Sequence, residues 1–130
     1  MKQYYLATTG ISEIWDLTAD KILLLGPWCA ISPKNRKLLE GKDIVAIPSP
    51  WKPTQKVKEA ADYCYMIYHQ ILPQLAENLN RIHHVTYPVK YRQILLGPWL
   101  LMFIEIFYDR YMRIANSVKL FPSLVTHTLA

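Results

Sequence analysis

The chain has 130 residues, 52% hydrophobic and 19% charged. That size allows about one domain, burying roughly two-thirds of its unfolded surface with no need of a disulfide or metal, and the composition excludes a disordered chain. The net charge of +5 equals the balance of residues 34 to 58, where Lys34, Arg36, Lys37, Lys42, Lys52, Lys56 and Lys58 face only Glu40 and Asp43. Such a stretch suits an anionic membrane surface or phosphate groups, or it is a solvated loop and first helical turn.

Gln3 to Thr8 is aromatic-rich and predicts a first strand, with Thr9-Gly10 as its turn. A short helix is expected after Gly10, with Glu13 in its first turn. Ile22-Leu23-Leu24-Leu25, closed by Gly26-Pro27, and Asp43 to Ile47, stopped by Pro48, are continuous apolar runs. Runs without alternation fit strands covered on both faces, as in a parallel sheet. Pro48 to Pro53 reads as extended.

From Thr54 the pattern changes. Val57, Ala61, Cys64, Tyr68, Ile71, Leu75, Leu79 and Ile82 recur at helical spacing. Pro73 should kink this helix or start a new segment. A second helix runs from about Pro88 to Asn116, with Gly97-Pro98 as its expected break and Trp99 as core. A new element starts after residue 118. The prediction is therefore α/β: a small parallel, Rossmann-like sheet of about three strands within residues 1–53, then two long, kinked helices over 54–117. Residues 1–130 read as a single amino-terminal segment, an incomplete half-domain.

The widely spaced Gly10, Gly26, Gly41 and Gly97 exclude GxGxxG and the Walker A loop, whose clustered glycines let backbone N–H groups wrap a phosphate. No cofactor is expected. His69, His83, His84 and His127 include no ligand spacing, so no metal is expected. Cys29 and Cys64 read as reduced thiols of a cytoplasmic protein. Residues 1 to 10 lack the apolar core of a secretory signal. The longest apolar stretch, residues 94 to 104, falls short of the roughly 20 residues that a membrane span needs. No nucleic-acid-binding signature accompanies the lysines, so no nucleic acid is expected as partner.

Open α/β sheets bind ligands at the carboxyl ends of their strands. If the strands are parallel, those ends carry Thr8, Thr9, Gly10, Trp28, Cys29, Ser49 and Trp51. Hydroxyls, backbone N–H groups and two indoles suit a sugar or nucleotide; equally, the tryptophans simply pack the sheet. Farther on, Glu105 and Asp109 share one helical face, either as an acid–base pair or as a surface ladder. Asp109 and Arg110, being adjacent, should diverge.

Tyr5-Leu6-Ala7-Thr8-Thr9, Leu24-Leu25-Gly26-x-Trp28-Cys29, Ile71-Leu72-Pro73, Tyr91-Arg92-x-Ile94-Leu95-Leu96-Gly97-Pro98-Trp99-Leu100 and Tyr108-Asp109-Arg110-Tyr111 resemble a family of bacterial transferases found in O-antigen and surface-polysaccharide gene regions. Those transferases are several times longer and glycosyltransferase-like in their later portion. Pro27 stands where the family pattern is usually acidic. The resemblance implies transfer of a sugar or related group from an activated donor at the cytoplasmic side of envelope polysaccharide synthesis, with an activated sugar or a polysaccharide acceptor as partner. It implies that this chain is the amino-terminal, acceptor-side part, inactive without a missing carboxy-terminal domain. It also makes Arg92, Asp109 and Arg110 candidate functional helix positions, while the catalytic residues stay unassigned. The competing reading is a small basic non-enzymatic α/β module that docks on an envelope enzyme or an anionic surface.

Overall fold

The computed structural model describes residues 2–128. It divides into two compact units: one holds the described residues up to Pro50 and from Met112 onward, the other Trp51–Tyr111.

The first unit is built on a sheet. β1 (Tyr4–Ala7), β2 (Lys21–Leu24), β3 (Ile44–Ala46) and β4 (Leu124–Val125) pair in parallel in the order β3-β2-β1-β4. The sheet is thus the expected parallel one, with β4 as a fourth strand beyond the expected three. Successive side chains of a strand point to opposite faces. Tyr5, Ala7, Ile22 and Leu24 accordingly bury one face with Trp15, Cys29 and Leu39, while Leu6, Leu23 and Leu25 bury the other with Ile47. Phe121 packs on that second face and meets Tyr4 edge-on, with ring centroids 5.6 Å apart. Coverage on both faces is why β1 and β2 are apolar without alternation. The expectation fails at β3: Ile44 is exposed, because β3 lies at the sheet edge.

Two 3-10 turns, Ser12–Ile14 and Pro27–Ala30, follow β1 and β2. α1 (Pro33–Leu39) comes next. Ser32 caps it by accepting from the Asn35 N–H, and Pro33 occupies the first turn, where its missing N–H costs nothing. Lys34, Arg36 and Lys37 of the basic stretch therefore sit on a helix, with their side chains exposed to solvent.

The second unit holds α2 (Thr54–His83) and most of α3 (Val89–Leu120), which enters the first unit at Met112. Tyr68, Leu72 and Leu100 form the buried seam between the two helices, with Leu75, Leu101 and Ile104 packed against it. α2 ends at His84, whose left-handed backbone (φ 54°) lets the Val85 N–H reach back to the Asn80 carbonyl at 3.0 Å. Neither Pro73 nor Pro98 ends its helix. The expected break at Gly97-Pro98 is absent: α3 runs through it, with Gly97 buried beside the Tyr68 hydroxyl. Trp99 is not core either. It is 53% exposed and stacks on Phe103, while Leu100 next to it is the buried residue. The stretch 94–104 is apolar all round, but only one side of α3 meets α2. No described helix is long and apolar enough to cross a membrane.

Candidate functional site

The strand order turns at β1: β2 lies on one side of it and β4 on the other. In parallel sheets such a switch point opens a crevice at the carboxyl ends, because the connections leave in opposite directions. Here that edge carries Thr8-Thr9-Gly10 after β1 and Thr126-His127 after β4.

The β1 turn is held by side chains on three consecutive carbonyls. Trp28 Nε1 donates to Thr8 O at 3.0 Å, Trp15 Nε1 to Thr9 O at 3.0 Å, and Asn35 Nδ2 to Gly10 O at 2.8 Å. Asn35 is buried and also donates to Cys29 O at 2.8 Å, which ties the turn after β1 to the turn after β2. The Thr9 hydroxyl accepts from the Ile11 N–H at 3.2 Å. Across the switch, Thr126 Oγ1 donates to Leu6 O at 2.8 Å, and His127 Nδ1 lies 2.8 Å from Ile14 O with its ring against Tyr5. Burial pushes the Tyr5 phenol above its ordinary range, so it stays neutral and donates to Ile14 O. Backbone held in this way needs little reorganisation to meet a ligand at the carboxyl ends of the strands.

Trp28 is half-buried between both core clusters, and the Arg113 guanidinium lies 5.2 Å over its ring. The residue is as much a wedge of the fold as a platform. Cys29 is fully buried, its thiol donating to Ala7 O at 3.4 Å, and belongs to the core. Ser49 is half-buried just past β3.

Trp51, Asp109, Arg110 and Arg92 belong to the second unit. Trp51 Nε1 donates to Asp109 Oδ1 at 2.6 Å, and Arg110 meets Asp109 Oδ2 at 2.6 Å. The expected divergence of Asp109 and Arg110 is thus overturned, because the long guanidinium arm reaches back to its neighbour. Arg92 is buried at the other end of α3's share of this unit. It donates to Asn80 Oδ1 at 3.0 and 3.2 Å and lies over Tyr87 and Tyr91, so it clasps the turn between the helices. Among the described residues, no group of three or more His, Cys, Asp or Glu could hold a metal ion.

Sequence reasoning missed Asn35, Trp15, Thr126 and His127. Ser32-Pro33 marks α1, and with it Asn35 on its first turn. Nothing local marks Thr126-His127, whose meaning comes only from β4 pairing with β1.

The family model described as LIC12162 family transferase matches residues 4–130. No curated protein and no solved structure matches the chain. With a match that takes in the sheet, both long helices and the switch point, the chain belongs to the LIC12162 family of transferases.

Proposed function

We propose that the chain is the acceptor-side part of a glycosyltransferase-like enzyme of bacterial surface-polysaccharide or O-antigen synthesis. In this reading a hydroxyl of the growing saccharide attacks the anomeric carbon of an activated sugar, the bond from that carbon to the donor's phosphate oxygen breaks, the phosphate group leaves with the electron pair, and the hydroxyl proton passes to water. The donor is held by a further, carboxy-terminal domain of the same enzyme, so the 130-residue chain binds acceptor without turning over donor. The observation that carries the reading is the β1/β4 switch point, where the Thr8-Thr9-Gly10 turn is fixed by three side-chain donors. Family membership supplies the transferase class.

Saturation-transfer NMR with an O-antigen oligosaccharide tests this. Binding should be seen with the wild-type chain and should weaken in a Thr8→Val, Thr9→Val double variant that keeps its melting temperature. Absent binding, or binding indifferent to the double variant, counts against the reading, as does nucleotide-sugar turnover by the isolated chain.

α1 favours a peripheral location at the inner face of the membrane. Lys34, Arg36 and Lys37 are exposed on this one short helix, and Lys42 is exposed just beyond it. Such residues each add about 1 kcal/mol near an anionic surface. Co-sedimentation with anionic but not neutral vesicles is expected, lost on changing all four to Gln. The non-enzymatic docking module would show the same vesicle binding without saccharide binding.

A further inference from the structure

Trp51, α2 and α3 line an open cavity of about 260 Å³ within the second unit. Its walls are mostly apolar, with Val57, Ala61 and Cys64 contributed by α2. Trp51 and Tyr108 add aromatic surface, their centroids 5.8 Å apart, and Tyr63 continues the cluster 5.1 Å from Tyr108. Two carboxylates complete the lining, one helical turn apart on α3.

The two carboxylates differ. Asp109 receives the Trp51 indole N–H and the Arg110 guanidinium, so its charge is balanced. The Glu105 carboxylate makes no hydrogen bond or ion pair among the described residues. Its charge is felt inside the cavity: the buried Cys64 thiol is held above its ordinary range, first by desolvation and then by Glu105. The lining therefore carries one uncompensated negative charge beside aromatic rings.

We propose that this cavity binds a small molecule with an ammonium group on a ring of apolar faces, in chemical class an amino sugar. Aromatic rings attract a cation through their quadrupole. The Glu105 carboxylate neutralises it, and the Val57 and Ala61 side chains meet ring C–H groups. The volume is below the range of drug-sized pockets, which limits the ligand to about one ring. An anion would be repelled. A neutral sugar returns hydroxyl hydrogen bonds to Glu105 but leaves its charge unbalanced, so it gains less than an ammonium does. The inference concerns the second unit alone and stands whether or not the sheet edge holds an acceptor.

The purified chain is titrated with glucosamine, N-acetylglucosamine and glucose, followed by NMR shift changes and by protection of Cys64 from iodoacetamide, read by peptide mass. Glucosamine should bind about tenfold more tightly than either neutral sugar, a ratio within reach of one cation–π and carboxylate contact. It should also slow Cys64 alkylation. Glu105→Gln should erase the preference, and the exposed position of Glu105 should leave the fold intact. Ala61→Leu, which fills the cavity while leaving the charge, should abolish binding of all three. Equal affinity for the three sugars, no binding at all, or a preference that survives Glu105→Gln overturns the proposal.

Discussion

Gly26 and Trp28 form one device, and breaking it has a magnitude that can be worked out. Gly26 has an extended backbone (φ −164°, ψ 173°), which any residue adopts, so its role is space and not conformation. A Cβ there would lie 2.0 Å from Trp28 Cζ3 and 2.2 Å from Cη2. The ring would have to swing out of its wedge between the two core clusters and release Thr8 O. Overpacking costs about 1–3 kcal/mol, and the lost hydrogen bond about 1 kcal/mol. Gly26→Ala should therefore destabilise by about 2–4 kcal/mol on those two counts together. Trp28→Ala should cost a similar amount, about 2–4 kcal/mol, because a half-buried indole loses less than the full range for buried aromatics. The double variant is decisive. With the indole gone, the methyl group added by Gly26→Ala has room, so the pair should cost little more than Trp28→Ala alone, giving a coupling close to the whole cost of Gly26→Ala, about 2–4 kcal/mol. Urea unfolding followed by circular dichroism measures all three. Trp99→Ala is the control: this indole is half exposed, so its removal should cost about 1 kcal/mol or less. Additive costs for the Gly26 and Trp28 substitutions, or a larger loss at Trp99 than at Trp28, would refute the argument.

The parallel sheet is legible because β1 and β2 are covered on both faces, and uninterrupted apolar runs such as Ile22 to Leu25 have few other uses. β3 looks alike in sequence yet sits at the edge, since an apolar run does not record which neighbours arrive on each side. The long helices are legible from spacing, but α3 misleads. Trp99, Phe103 and Phe107 share one face four residues apart, a pattern that in isolation means core, and here all three are exposed. Amphipathicity says which faces can be buried; the partners present decide which are. The site divides the same way. Thr8, Thr9 and Gly10 are legible as the end of an apolar strand, whereas Asn35 and Trp15, which hold them, act across loops through single hydrogen bonds that leave no periodic trace. Arg92, an arginine in a recognisable tract, clasps Asn80 and two tyrosines, contacts that its local sequence does not announce.

Asn35→Ala should destabilise by about 1–3 kcal/mol, because the buried Cys29 O and the more exposed Gly10 O lose their donor. Asn35→Asp should cost at least as much, since a carboxylate cannot donate to either; wild-type unfolding by both variants in urea would show that the turn does not depend on this residue. The last prediction concerns acid. Lys34 bonds Glu13 and holds its carboxyl below the ordinary glutamate range. A depressed folded-state pKa contributes stability above the unfolded value, and that contribution fades as pH falls through the folded value. Lys34→Gln should thus melt slightly below wild type at neutral pH, and only slightly, because both partners are exposed. Added salt should shrink the gap by screening. As Glu13 protonates, the gap should close, and in stronger acid it should change sign. A chain of net charge +5 at neutrality becomes more positive as its carboxylates are lost, and one lysine fewer then relieves repulsion. Melting curves of the two proteins across the acid range decide it: a gap that persists undiminished after the carboxylates have titrated would mean that Lys34 acts through packing of its stem and not through the Glu13 charge.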